Sequence, residues 1–243
     1  KYIGESGRAI VNGDDDKLCT LRGKLKNVLT YGLNADNDIR GENVKDMGLE
    51  GMSFDIVYGG GRITATIPSP GIHMVMNSLC AAAVGLTLGI EPELIKQGIE
   101  SYAPVEGRMQ IIKTQRLTLL DDSFNANPTS MAAAINIACR ASGRTVLILG
   151  DMLELGEKGA EYHRNMGKKA VECGADIMIG KGPLMKNACE ETERAGIETM
   201  HFDTSEDIMR ALDNCLRDGD TVLVKASHGT NLKDVAEYIK ANF

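Results

Sequence analysis

Apolar residues recur along this chain with two periods, and the change from one to the other sets the expected fold. Up to Ile67 the period is short. Arg8–Asn12 reads as a buried strand that runs into the turn-forming Gly13-Asp14-Asp15-Asp16, and a second short strand is expected at Asn27–Tyr31. From Asp38 to Ile67, alternating β-branched stretches (SFDIVY, RITATI) flank Gly59-Gly60-Gly61 and predict an antiparallel hairpin. The triple glycine joins two alternating strands and opens no helix, so a turn is favoured over a phosphate cradle. After Pro68-Ser69-Pro70-Gly71 the period lengthens. Val75, Leu79, Ala82, Ala83 and Leu86 predict a packed helix over His73–Leu88, and Pro92 starts another that ends near Tyr102.

Beyond Pro104 the two periods alternate. Strand-like runs (LTLLDD, TVLILGD, ADIMIG, ETMHFD, TVLVKA) are separated by helical patterns at 129–140, 158–173, 184–195, 205–216 and 230–241. Strands and helices at that spacing predict a doubly wound α/β sheet. A boundary near Glu106-Gly107 divides the chain into a partial mixed domain, 1–107, and a complete Rossmann-like domain, 108–243.

Composition narrows the class. With 43% hydrophobic and 25% charged residues, a chain of 243 residues has globular composition and buries roughly 70% of its unfolded surface. A net charge of -7 with scattered Lys and Arg gives no footprint for nucleic acid. The six cysteines stand apart without a C-x-x-C pair, as expected of reduced core residues in a cytoplasmic protein. No apolar run approaches the ~20 residues of a membrane span. The first residues show neither a signal-peptide pattern nor an initiator Met, so the chain is expected to begin inside a longer protein.

Doubly wound sheets bind ligands beyond the carboxyl ends of their strands. Here those positions are polar: LTLLDD runs into SFNANPTSM, VLILG into DMLELGE and TVLVK into ASHGTN. Each has a bland reading alone, since Asp and Asn make turns and Asn127-Pro128 with Thr129 or Ser130 starts a helix. Three on one edge of one sheet favour a site. A dehydrogenase is disfavoured because no G-x-G-x-x-G follows a strand.

Residues Asp121 to Met131 (DDSFNANPTSM) and Gly150 to Gly156 (GDMLELG) resemble the Mur ligase family, in particular its D-alanyl-D-alanine-adding branch. Gly71-Ile72-His73 with Asn77 and Ala81-Ala82-Ala83, Gly107-Arg108, His163, and Leu223 to Ser227 extend the match, which is weakest over 1–67, where only Val11 to Asp15 fits well. The sibling that adds the third stem-peptide residue, with its D-Y-A-H-T-P loop, and folylpolyglutamate synthetase fit less well.

The resemblance implies the C-terminal portion of a central ATP-binding domain followed by a Rossmann-like C-terminal domain. It further implies a ligase that uses ATP and Mg2+ to join D-Ala-D-Ala to UDP-MurNAc-tripeptide through an acyl phosphate, acting as a cytoplasmic monomer without nucleic acid or membrane partners. The alternative is a stand-alone nucleotide- or peptide-binding module. The phosphate loop, the magnesium ligands and a carbamylated lysine belong, in the family, upstream of residue 1; no G-x-x-x-x-G-K-[ST] occurs here, so the fragment is expected to be inactive alone and to hold no metal itself. By the same resemblance Asn77, Arg108, Asp122, Asn125 and Asn127 are expected at ATP.

The dipeptide that the resemblance implies is a zwitterion, so Asp151 and Glu154 are candidates for its amine and Lys225 and Ser227 for its carboxylate. The competing expectation is that Asp151 caps its own loop and Lys225 pairs with it. His163 lies in a helical pattern among polar residues and is expected on a solvated face, whereas His228 follows Ser227 into the crevice. One position departs from the family's H-N-x-x-N pattern: the chain reads His73-Met74-Val75-Met76-Asn77. A thioether cannot replace an amide's hydrogen bonds, so Met74 predicts weaker ATP binding, restored by Met74→Asn.

Overall fold

The short-period stretch up to Ile67 folds mainly as strands, and the long-period stretches fold as helices. The computed structural model describes Gly4 and residues 7–243, and the chain separates into two units, Lys1–Ala103 and Pro104–Phe243.

In the first unit β1 (Ala9–Asn12), β2 (Val28–Gly32), β3 (Ile39–Asp46), β4 (Met52–Tyr58) and β5 (Gly61–Ile67) lie side by side in chain order. The first three run parallel; β3, β4 and β5 are antiparallel. Tyr58 pairs with Gly61, so Gly59-Gly60 form the two-residue hairpin turn that the alternation predicts. Helices α1 (Ile72–Thr87) and α2 (Pro92–Glu100) follow. Val75, Leu79, Ala82 and Ala83 recur on one face of α1 and are fully buried in a cluster with Phe54, Ile56 and Ala65. Burying each larger side chain contributes about 1.5–3 kcal/mol.

A polar network spans β3, β4 and β5. Asn43, left-handed at φ 50° where the β3–β4 register shifts, donates to Asp55 Oδ2 at 2.7 Å, and Thr64 donates to Asp55 Oδ1 at 2.6 Å. Arg62 bridges Asp55 at 2.6 Å and Glu42 at 2.7 Å. The hydrogen bonds from Thr64 and Asn43, then the ion pair with Arg62, lower the Asp55 carboxyl from 3.8 to about 2. A carboxyl depressed by folding stabilises above its unfolded value, and the contribution is lost as pH falls through the folded one. Acid titration monitored by circular dichroism is therefore expected to show wild type losing more stability than Asp55→Asn between pH 4 and about 2; parallel curves would rule the network out.

The second unit carries a sheet in the order β10-β9-β8-β11-β7-β6. Its members are β6 (Gln110–Lys113), β7 (Thr118–Asp122), β8 (Thr145–Gly150), β9 (Ile177–Lys181), β10 (Glu198–Phe202) and β11 (Thr221–Lys225). All pairings are parallel except that of β6, an edge strand the sequence pattern did not predict, which is antiparallel to β7. The helices are α3 (Pro128–Cys139), α4 (Gly159–Cys173), α5 (Lys186–Arg194), α6 (Ser205–Cys215) and α7 (Lys233–Asn242).

From β7 through β10 the chain moves one way across the sheet, and from β10 to β11 it returns. Right-handed crossovers then put α3, α4 and α5 on one face and α6 on the other, where α7, which follows the last strand, packs beside it. Packing agrees: α4 touches α3 and α5, while α6 touches α7. Ile208, Leu212, Val235 and Ile239 form the α6–α7 side of a cluster with Val146, Ile148, Ile177, Ile179, Val222 and Val224.

Candidate functional site

This winding locates the crevice. Loops after β7 and β8 lead to the α3–α5 face, the loop after β11 leads to the opposite face, and β11 stands between β8 and β7. The backbone therefore parts on both sides of the carboxyl end of β11, at Lys225-Ala226-Ser227, where a ligand can enter.

Lys225 and Ser227 staple the polar loops together. Val222 and Val224 pack toward α6 and α7, so strand alternation turns Lys225 to the other face, 2% exposed, beneath the loop that starts α3. Its Nζ donates to Asp122 Oδ2 at 2.6 Å and to the Asn125 carbonyl at 2.8 Å, and Asp122 Oδ1 accepts the Met109 N–H at 3.0 Å. Ser227 Oγ donates to the Ala126 carbonyl at 3.3 Å and accepts the Leu153 N–H at 2.9 Å. The 122–127 and 151–154 loops are thus tied to one strand end. Lys225 pairs with Asp122, not with Asp151, correcting that expectation.

Asp151 is 5% exposed and accepts the N–H groups of Met185 at 2.7 Å and Leu184 at 3.3 Å, fixing the approach to α5. Glu154 is exposed and left-handed at φ 62°, an unusual conformation for a residue with a Cβ. Asn127 caps α3 in a reciprocal capping box with Ser130, and Asn125 Oδ1 accepts the Ala126 N–H at 2.8 Å. Arg108 lies 4.0 Å above the ring of Phe124 and has no carboxylate within ion-pair distance among the described residues. His228 is exposed beside the same ring.

His163 is a correction. It is fully buried, accepting the Met152 N–H at Nε2 (2.9 Å) and facing the Gly159 carbonyl through Nδ1 (2.7 Å). Its ring fills the space under the 151–156 loop instead of facing water. Lys181, which the sequence reading passed over, ends β9 and donates to Ser205 Oγ at 2.7 Å and the Thr230 carbonyl at 2.5 Å; burial lowers its pKa. Among the described residues no cluster of three or more His, Cys, Asp or Glu is gathered to hold a metal.

In the first unit Asn77 is exposed on α1, and its Nδ2 reaches Met74 Sδ at 3.8 Å. Met74 is 8% exposed and lines an apolar cavity of about 430 Å³ with Ile67, Ala81, Ile95 and Ile99. It is a core residue. The buried position adds a second expected outcome to the gain in ATP binding from Met74→Asn: an amide in this cavity, which Asn77 also lines, lowers stability by about 1–3 kcal/mol. Thermal denaturation checks this, and an unchanged midpoint would return Met74 to the surface.

These features define an α/β protein of the doubly wound ligand-binding class, preceded by a mixed-sheet unit. Comparison with known proteins gives the lineage. Residues 1–85 match the Mur ligase middle domain and residues 107–228 the Mur ligase, glutamate ligase domain. The chain is 30% identical over 242 residues to the UDP-N-acetylmuramoyl-tripeptide--D-alanyl-D-alanine ligase of Buchnera aphidicola, covering 98% of this chain and 52% of that protein. In fold it is similar to MurF from Acinetobacter baumannii, with a TM-score of 0.88 at 24% identity over 99% of this chain and 53% of the other. It is also similar to the MurF ligase from Thermotoga maritima in complex with ADP, with a TM-score of 0.80 at 21% identity over 97% and 53% of the two chains. The chain belongs to the Mur ligase family. It spans about half the length of the relatives it matches.

Proposed function

We propose that this chain forms part of an ATP-dependent ligase that adds D-alanyl-D-alanine to UDP-MurNAc-tripeptide in peptidoglycan precursor synthesis. The observation that carries the proposal is the stapled polar edge around Lys225 and Ser227, in a chain whose relatives bear that ligase's name. In the reaction the tripeptide carboxylate takes the γ-phosphoryl group of ATP, releasing ADP. The dipeptide amine then attacks the acyl carbon, the C–N bond forms, and phosphate leaves as the amine gives up its proton.

Asn77 and Arg108, whose polar ends are exposed, are assigned to the nucleotide. ADP bound to the Thermotoga relative supports ATP as the cofactor. Asp122, Asn125 and Asn127 serve by shaping the loop before α3, since their side chains are engaged within the chain. At the dipeptide, Glu154 is assigned to the amine and its proton, while Asp151, Lys225 and Ser227 hold the loops that surround it. For the magnesium implied by the family resemblance, no cluster of three or more His, Cys, Asp or Glu is gathered among the described residues. No helix among the described residues is long and apolar enough to cross a membrane; a cytoplasmic, monomeric enzyme is part of the proposal.

Phosphate release by the full-length enzyme is expected to require both UDP-MurNAc-tripeptide and D-Ala-D-Ala. Residues 1–243 alone are expected to release none, lacking a G-x-x-x-x-G-K-[ST] loop. Dipeptide-independent release by the full-length enzyme would overturn the assignment.

A further inference from the structure

Large apolar side chains are exposed at three places among the described residues of the second unit: Val105, Phe124 and Leu153. Val105 stands beside the unit boundary. Phe124 and Leu153 occupy the loops after β7 and β8, on either side of the β11 end.

Both side chains are held in place although neither belongs to the core. Phe124, 43% exposed, has the Arg108 guanidinium 4.0 Å from its ring centroid and the His228 ring at 5.6 Å. Leu153, 44% exposed, is fixed through its backbone: its N–H donates to Ser227 Oγ, the preceding N–H of Met152 donates to buried His163, and Glu154 after it is left-handed. A loop anchored before an exposed leucine and strained after it presents that side chain. Gly229 links the two sides. A Cβ there would stand 3.1 Å from Leu153 Cδ1, and its neighbour His228 lies against Phe124. Phe124, His228, Gly229 and Leu153 thus form one strip across the mouth of the crevice.

We propose that this strip reads the methyl side chains of the incoming dipeptide, with Phe124 and Leu153 as specificity-determining residues. The inference rests on the ligase reading above. D-alanyl-D-alanine presents two charged ends and two methyl groups. Polar loops can hold the charges, but they cannot tell alanine from glycine; that discrimination requires apolar surface against the methyls. Phe124 and Leu153 provide such surface beside the polar loops, and their exposure in the chain itself leaves it open to a ligand.

The test compares D-alanyl-D-alanine with D-alanyl-glycine and glycyl-D-alanine as acceptors in the full-length enzyme, for wild type, Leu153→Ala and Phe124→Ala. Wild type is expected to prefer the dialanine in kcat/KM by roughly fourfold or more for each methyl. Each variant is expected to bring one of the two preferences toward unity while still melting cooperatively, because neither side chain belongs to the core. The preference is a ratio in which any effect on ATP binding cancels. Wild-type preferences retained in both variants would overturn the inference. Ligation of no dipeptide by wild type would instead defeat the ligase reading itself.

Discussion

Lys225→Ala is expected to destabilise the second unit by about 3 kcal/mol, because it removes the fully buried cationic partner of the ion pair with Asp122. The lysine is 2% exposed, so water cannot take over its contacts without opening the loop. Its loss also frees the Asn125 carbonyl, whose partner at 2.8 Å is the same ammonium. Lys225→Met with Asp122→Leu is expected to recover part of the loss, since apolar replacement of both partners removes the charge problem, while the Asn125 carbonyl and the Met109 N–H still lose these partners. Urea denaturation of the single and double variants measures the coupling. A loss below about 1 kcal/mol in Lys225→Ala would mean that the pair is solvated and the staple weak. Kinetics separate positioning from contact in the full-length enzyme. If Lys225 acts by holding the 122–127 loop, kcat falls and the ATP and dipeptide KM values rise together; a rise confined to the dipeptide would place the ammonium against its carboxylate.

The elements of this fold were legible because its periods are clean, and the contacts were less so because they depend on strand order. The helix expected at 129–140 forms at Pro128–Cys139, and the one expected at 205–216 forms at Ser205–Cys215. β6 escaped notice: QIIK is too short to alternate clearly and gains its strand character from pairing with β7. For Lys225, the competing structural reading named Asp151 as its partner, where the structure has Asp122. Its neighbour in space is set by β11 lying beside β7, a pairing between residues about a hundred positions apart that no local pattern contains. His163 did carry a signal. Gly159, His163, Met166, Gly167 and Ala170 fall on one helical stripe and are all buried, so the histidine could have been assigned to the core. Met74 shows another limit: a family motif suggested a nucleotide-facing position, and its helical phase with Val75, Ser78 and Leu79 also buries it, on a cavity that Asn77 lines as well.

His163→Ala is expected to cost about 3–4 kcal/mol, combining the cavity left by a fully buried ring with two broken hydrogen bonds. The ring can satisfy both partners in one protonation state. The Met152 N–H can only donate, so Nε2 must carry a lone pair, and the proton sits on Nδ1, where it meets the Gly159 carbonyl. Removing the ring therefore leaves a buried amide without an acceptor directly before Leu153, at the base of the loop whose next anchor is Ser227. The loss should be local as well as global. Hydrogen exchange is expected to speed at Met152 and Leu153 under conditions where β8 stays protected, because the loop opens without the sheet unfolding. His163→Gln offers a control, since its amide carries both an acceptor and a donor though with less volume, and it should recover part of the stability. A loss under about 1 kcal/mol in His163→Ala, with exchange at Met152 unchanged, would show that the loop holds its shape without the histidine and that the presentation of Leu153 depends on Ser227 alone.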